Sequence, residues 1–503
     1  MDGLVTLDDY SGSLAYAEYD EVRDLAKALS AGADINNPGA VVGGGFPLRV
    51  ESLDQTLKVV TFQQKDLIFW KDVPKKPAYN TVEEVNRLSD VGHESGIYVG
   101  EGDLPEEDSR LYERLYTIIK FMGTVCRVTH PLMVVKKALP DSVLAAEARA
   151  GTLKLLKGVE LGLWDGDSTC LGVEFDGFFR KMLDGIVGKG PGIAASAPSG
   201  GTLWHQDVDS CVATGLFQDM RNAPLLEDDA NEIVTIASDE PNHGEISDVY
   251  MPFKIAADFS KQFYSKERGS LSNDGEVGTV ARVWNSNFGK VRIRPSKFVR
   301  MSAPLNQTGM GDVAKRPNPP TLSAATSPAL AGGTFPGFGG TTQGRTCAAA
   351  VDGTGNYYYQ VSACNRYGES APLSIGPVAV TAGDQVNLAI VDGSAPGVTD
   401  FYRVARSYPG VAAATSAAYI FKAKRTAASQ TIIDVNRFIP WTARCYWIQR
   451  NLEAFCWRQL LPLLKVNLAQ IDLTMRFALM LYGALDVYAP RKHGIQINVG
   501  RLV

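Results

Sequence analysis

Histidines, carboxylates and lysines gather at three places in the 503-residue chain where their spacing could support chemistry. Trp204-His205-Gln206-Asp207-Val208-Asp209 sets one imidazole and two carboxylates at alternating positions, which on a strand would share a face and could ligate a metal. No second histidine stands near in sequence, and the polar contacts of a loop or interface account for the group better. Asp165, Asp167, Glu174 and Asp176 resemble a calcium loop only loosely, because Gly166 is misplaced for the sharp turn such a loop needs. That run reads instead as a helix end capped by Gly166. Lys189, in the glycine-rich GKGPGIAASAPSGG of 188–201, invites a phosphate-loop reading, but GxxxxGK[ST] is absent and no strand convincingly precedes it. A loop is the reading we keep.

The five histidines, at 93, 130, 205, 243 and 493, have no serine or cysteine partner at a known catalytic spacing, and there is no nucleophile elbow. The expectation is a protein that is not an enzyme, with no catalytic, cofactor-binding or metal residues and no cofactor. Fifty basic against 55 acidic residues give a net charge of −5, which supplies no large field for holding nucleic acid through its phosphates. The start, MDGLVTLDDYSGS, lacks the basic and apolar regions of a secretory signal, so synthesis and folding in a cytosol are expected. The apolar run Phe477 to Leu485 is too short to span a bilayer and is closed by Asp486. Seven cysteines (126, 170, 211, 347, 364, 445, 456) form no CxxC pair and read as mostly reduced, buried small hydrophobes. Cys347 and Cys364 could pair, but reduced core residues fit a reducing compartment better.

The elements that would position these groups are of mixed kinds. A chain of this length exceeds what one core organises, so several domains are expected. Residues 1–47 hold one amphipathic stretch, Tyr19 to Leu29, then NNPGAVVGGGFP, and are acidic: an arm and not a core. Two short helical segments follow between Arg49 and Trp70. Thr81 and Glu84 have capping-box spacing, and Val82, Val85 and Leu88 would line one face of a short helix. The acidic, glycine-rich SDVGHESGIYVGEGDLPEED then leads to RLYERLYTIIKFMGTVCRVTH, read as one long strand. Together they describe a projecting, hairpin-like loop, marginal alone and in need of a surface to lie on.

Asp141 and Ser142, after Pro140, open the best helix in the chain, about 22 residues or roughly 33 Å long, with Val143, Leu144, Leu153, Leu156, Val159 and Leu163 as its buried side. Its alanine-rich first half suits close packing. LLEDDANEIVTIAS and KIAADFSKQFYSK read as helices, SDVYMPF as a strand, and VGTVARVWNSNFGKVRIRPSKFVRM as a hairpin. MRFALMLYGALDVYAPRKHGIQINVGRLV reads as a helix, a break at Pro490 and a strand. Helices and strands in runs describe an α+β chain. Between RPNPP (316–320) and DVNRFIP (434–440), strands such as YYYQVSAC, QVNLAIVDG and FYRVARS alternate with turn signals, the pattern of a β-sandwich. That module carries nine basic and six acidic residues, +3, leaving the rest of the chain near −8.

The order of parts, with the blocks PLRVESLDQTLKVVTF, WKDVPKKPAYNTVEEVNRL, NYYYQVSACNRYGES and RFALMLYGALDVYAPRKHGIQINVG, resembles the major capsid proteins of tailed bacteriophages, in the group that carries an immunoglobulin-like insertion. The resemblance covers nearly the whole chain. It implies a Hong Kong 97-type fold: an N-terminal arm 1–47; an extended loop 72–122; a spine-helix (peripheral) domain from 48–71 and 123–224 with the final strand; an axial domain from 225–315 and 438–503; and an inserted immunoglobulin-like domain 316–437 displayed on the outer surface. It also implies self-assembly as hexamers and pentamers into an icosahedral head enclosing double-stranded DNA, each loop lying across the spine-helix domain of the next subunit. DNA would be touched non-specifically on the inner face, and the acidic arm fits a surface that does not hold it. Scaffold, portal and cement or decoration proteins are the further candidate partners, with no membrane. The place implied is the virion shell, assembled in the host cytoplasm.

Some relatives lock their shells with Lys–Asn isopeptide bonds, for which Lys71, Lys75 and Lys76 near the loop base are candidate donors, though no motif demands it. Others lose an N-terminal scaffolding segment; the opening at Met1 sets the expectation that none is removed here. Two other readings stay open: an encapsulin-type nanocompartment shell, which usually carries no such insertion, and a non-viral protein that binds carbohydrate through its sandwich module, which leaves the loop and arm unexplained.

Overall fold

Most segments that the sequence marks as strands by alternation are strands, and two that it marks as helices are strands as well. The structure is a computed structural model and describes residues 63–90, 98–102, 104, 107, 110–134, 143–187, 214–263, 282–329, 341–342, 345–346, 354–381, 384–393, 396–411, 416–469 and 473–502. The arm 1–47, the 188–201 loop, the 204–209 group, Cys211 and Cys347 lie outside the described residues. Contacts divide the chain into two units, 1–60 with 133–143 and 61–132 with 144–503. The architecture below is that of the second.

A short helix α1 (Ile68–Asp72) leads into β1 (Lys75–Pro77), which runs parallel to Trp457–Gln459. The stretch with capping-box spacing is not a helix. It is strand β2 (Val82–Asp90), paired antiparallel with β3 (Leu111–Ile118) from Val82↔Ile118 to Asp90↔Leu111. Apolar residues at 82, 85 and 88 fit a helical face, but pairing along the whole segment outweighs the weak local propensity of seven residues. Glu84, the expected box partner of Thr81, instead pairs with Arg114, and it is Glu83 that accepts the N–H groups of Tyr79 and Asn80 in the turn before the strand. The long strand expected after it is interrupted at buried Ile119, so β3 and β4 (Lys120–Thr129) belong to different sheets.

After α2 (His130–Val134) comes the spine helix α3 (Val143–Asp165), 23 residues or about 34 Å. Its buried residues begin only at Gly151 and include Leu155, Leu156, Val159, Glu160, Leu163 and Trp164; in the first turns Leu144 and Ala148 pack half-buried against the core while Ala145 and Ala150 are exposed, and Val143, Leu144 and Leu153, expected on the buried side, are half-buried. A Cβ on Gly151 would stand 2.5 Å from Cys126 Sγ and 2.9 Å from Leu479, so glycine sets how near the helix lies to its sheet. The sequence reading passed over α4 (Phe178–Val187), whose Phe178, Phe179, Met182 and Leu183 are buried.

Next come β5 (Phe217–Asp219), which the sequence reading passed over, and then α5 (Glu227–Ser238), β6 (Asp248–Met251), α6 (Phe253–Lys261) and the hairpin β7 (Val283–Ser286) with β8 (Gly289–Pro295), as the patterning predicts. Asp229 accepts the Leu226 N–H at 2.9 Å and, with Glu227 and Asp228, puts negative charge where the α5 dipole favours it.

The named elements of the described residues in 310–434 are all strands: β9 (Met310–Gly311), β10 (Thr321–Thr326), β11 (Thr341–Thr342), β12 (Arg345–Thr346), β13 (Gly355–Asn365), β14 (Gly368–Glu369), β15 (Leu373–Val380), β16 (Val386–Val391), β17 (Phe401–Arg406), β18 (Ala418–Lys424) and β19 (Ser429–Asp434). One sheet runs β10-β16-β19, the other β18-β17-β13-β14-β9 with β15 on β13. Tyr359 and Arg406 of the second sheet reach Asp434 of the first, at 2.9 and 2.5 Å, so the two sheets share an interior.

Strand β20 (Ala443–Ile448) returns the chain to the sheet β5-β23-β20-β6-β8-β7, completed by β23 (Gly494–Val499). Between them β21 (Phe455–Asn467) and β22 (Thr474–Val487) complete the sheet β1-β21-β22-β4. The expected helix over MRFALMLYGALDVY is therefore β22, a strand paired on both sides and largely buried, whose continuous apolar run hides the alternation of a strand. Pro490 does break the chain, into a 3₁₀ turn, before the last strand. Rings meet where α1, α3 and the body sheet converge: Phe69 on Trp164 at 4.1 Å, Trp164 on Tyr446 at 4.7 Å, Phe69 on Tyr250 at 5.1 Å between centroids.

Candidate assembly surface

The β2–β3 hairpin has two unlike faces. On one, Glu83, Val85 and Arg87 stand opposite Thr117, Leu115 and Glu113, and this face is tied to its own unit. Arg87 pairs with Glu113 at 2.6 Å and donates to the Tyr488 carbonyl at 3.0 Å, while Thr117 donates to Asp486 at 3.0 Å. On the other face, Val82 lies across from Ile118 and Leu88 across from Tyr112, all exposed, with an Arg114–Glu84 ion pair at 3.2 Å between them. Cross-strand apolar pairs flanking a charge pair stabilise a ribbon modestly, by tenths of a kcal/mol to about 1 kcal/mol each. They also leave large apolar groups in water. Tyr98, Val99 and Leu104, toward the tip, are exposed as well.

A second open surface lies on β4 and, across β22, on β21. Alternation places Phe121 and Val125, 60 and 63% exposed, on the face of β4 that turns away from buried Cys126 and Val128. Across the ladder stand half-buried Tyr482 and buried Ala478 of β22, so the open part of this surface lies on β4 and, beyond half-buried Met480, at exposed Leu464 of β21. Phe121 and Tyr482 meet edge to face at 4.8 Å. A sheet face with this composition is suited to being covered.

The chain entering the hairpin is fixed from below. Glu160 of α3 is buried and accepts the N–H of Phe69 at 3.1 Å and of Trp70 at 2.7 Å; burial pushes its carboxyl up to about 7. Asp72 takes hydrogen bonds from Tyr250 (3.0 Å) and Arg450 (3.2 Å) and pairs with Arg294, which with Arg450 also holds Asp248. Lys75 and Lys76 lie over the rings of Trp70 and Tyr488, at 4.2 and 5.3 Å.

The 165–176 carboxylates serve the protein itself. Asp165 pairs with Arg444 at 2.9 Å, Asp167 accepts from the Thr169 N–H and hydroxyl, Asp176 from the Ser168 N–H, and Glu174 pairs with Lys422 at 3.5 Å. Among the described residues no three His, Cys, Asp or Glu side chains stand together as a metal would require. His493 is buried, accepts the Gln449 N–H at Nδ1 (3.1 Å) and packs on Phe178 and Phe455; burial drives its pKa down to about 3. Cys126, Cys170, Cys364, Cys445 and Cys456 are free and buried, as expected. No described helix is long and apolar enough to cross a membrane.

Sequence reasoning missed Glu160, although it sits four residues after Leu156 and three before Leu163, on the stripe already assigned to the core. It missed Arg406 too, which shares the inward parity of Tyr402 and Val404 in FYRVARS and is fully buried against Asp434.

No protein-family model matches the chain. It is 24% identical over 472 residues to the putative major capsid protein of Enterococcus phage phiEF24C, covering 88% of each chain. It is 23% identical over 492 residues to the major capsid protein of Staphylococcus phage K, covering 93% of each. Among solved structures, the capsid of the native GTA particle aligns with a TM-score of 0.42 and 10% identity, over 93% of this chain and all of that one.

Proposed function

We propose that this chain is a structural major capsid protein of the tailed-phage kind, a component of the virion shell and not an enzyme, and that it builds an icosahedral head from hexamers and pentamers of itself around double-stranded DNA. The fold in this reading is Hong Kong 97-type, with residues 72–122 as the extended loop, α3 as the spine, and 316–437 as an inserted immunoglobulin-like domain facing outward. Relatives that match over 88 and 93% of the chain support it.

The observation that carries the assembly step is the hairpin's split character: one face bonded to Asp486 and Tyr488 of its own unit, the other presenting Val82, Leu88, Tyr112 and Ile118 to water. A neighbouring subunit is the partner available to cover that face in every copy, and the exposed surface on β4 and β21 is of matching apolar character. Heterologous contacts of this type close into rings. Substituting Leu88→Asp with Tyr112→Asp tests it. Both side chains are exposed, so the cost is confined to their cross-strand pair and the like-charge repulsion that replaces it, about 1–2 kcal/mol, and the subunit should stay folded while assembly is lost. Particles forming as in the wild type would overturn the assignment of this face.

A further inference from the structure

The two-sheet unit is joined to the body by more than its chain ends. The loop 166–177, which links α3 to α4, folds back on itself through the Gly177 N–H to the Gly166 carbonyl, at 2.9 Å. A Cβ on either glycine would lie 2.5 Å or less from a backbone oxygen, so the tight return depends on both. This loop presents Cys170 and Leu171, and they pack against Cys364 at the end of β13 and Phe401 at the start of β17 in a small apolar cluster separate from both main cores.

Next to that cluster stands Lys422 of β18. Its ammonium donates to the carbonyl of Asp165, the last residue of α3, at 2.8 Å, pairs with Glu174 at 3.5 Å, and lies 5.5 Å above the Phe401 ring. A cation at a helix C-terminus meets the negative end of the dipole and an unpaired carbonyl together. From the body side, Arg444 of β20 holds the Asp165 carboxylate at 2.9 Å and stacks on Phe179 at 4.1 Å. The end of the spine helix is thus held between a lysine of the two-sheet unit and an arginine of the body. A cleft of about 460 Å³ lined in part by Gly158, Gly162, Arg403 and Tyr419 lies beside it, so the helix end is not fixed there by close packing alone.

We infer that the two-sheet unit 321–434 is a built-in clamp on the C-terminal end of the spine helix, with Lys422 as its polar anchor and the Cys170–Phe401 cluster as its apolar one. The unit then braces the body of its own subunit, whatever else its outer surface does, and the inference holds independently of the shell's symmetry.

Thiol alkylation of the purified full chain, followed residue by residue by mass spectrometry, tests this. In the wild type, Cys170 and Cys364 should label as slowly as Cys445, which lies in the body core. In Lys422→Met and Phe401→Ala, labelling of Cys170 should accelerate by about tenfold or more while Cys445 stays protected, the signature of local opening. Rapid labelling of Cys170 in the wild type, or no change in the variants, would overturn the clamp. Should a variant unfold outright and expose Cys445 too, the wild-type comparison of Cys170 with Cys445 decides alone.

Discussion

The Glu160 carboxylate accepts the backbone N–H of Trp70 at 2.7 Å, tying the middle of the buried half of the spine helix to the segment that enters the hairpin. Its other oxygen takes the Phe69 N–H at 3.1 Å. Glu160→Ala leaves two N–H donors without their acceptor, one at fully buried Phe69, and should cost about 2–4 kcal/mol in chemical denaturation. The pH dependence follows from the raised pKa. With about 7 in the folded protein against 4.5 in the free side chain, the folded state binds more protons between those values. Glu160's contribution is therefore fullest below about 4.5 and declines as pH rises through about 7. The stability gap between wild type and Glu160→Gln should accordingly narrow between pH 5 and pH 8.

His493 acts in the opposite direction over an overlapping window. Its folded pKa of about 3 lies below the ordinary 6.5, so the unfolded chain binds more protons between the two, and stability is lost as pH falls from about 6.5 toward 3. His493→Phe removes this titration but strands the Gln449 N–H. We expect a loss of about 1–2 kcal/mol at pH 7 and a flatter acid limb, read from denaturation midpoints across the range.

Gly151 reverses a familiar rule. In an exposed helix, replacing glycine by alanine stabilises by about 1 kcal/mol. Here the new methyl group would meet Cys126 and Leu479 at 2.5 and 2.9 Å, so Gly151→Ala should lower the melting temperature. Gly158, with open space around it, should show the ordinary gain when replaced in the same way.

Inside the two-sheet unit, Arg406 and Asp434 form an ion pair at 2.5 Å that is 0 and 1% exposed, and Tyr359 donates to the same aspartate. Asp434→Ala leaves a buried guanidinium without its counter-charge and should cost about 3–5 kcal/mol. Replacing both partners with apolar residues should cost far less than that single change, a contrast that denaturant titration of the two variants measures.

How much of this was legible in the sequence depended on how each segment is buried. Strands with one wetter face, such as β16, and helices with one apolar stripe, such as α5, declare their period. Strand β22 does not: pairing on both sides and burial on both faces make RFALMLYGALDVY a continuous apolar run, and Met, Ala and Leu tilt such a run toward a helix reading. Val82, Val85 and Leu88 fit a helical face, but the same stretch pairs residue by residue with 111–118, and that partner is not visible locally. The hairpin's outward apolar residues were present in the sequence, yet only the structure separates them from Glu83 and Arg87 on the bonded face. Glu160 and Lys422 lie at core-facing or joint positions that a charge pattern alone assigns to water.

Negative-stain electron microscopy with light scattering on the purified chain, beside the Leu88→Asp, Tyr112→Asp variant, tests the central claim most directly. The account predicts closed shells, or rings of megadalton-scale assemblies, for the wild type, and folded, unassembled subunits for the variant. A wild-type chain that stays a stable monomer with and without candidate scaffold and portal proteins, and whose stability survives deletion of the β2–β3 hairpin, would contradict it.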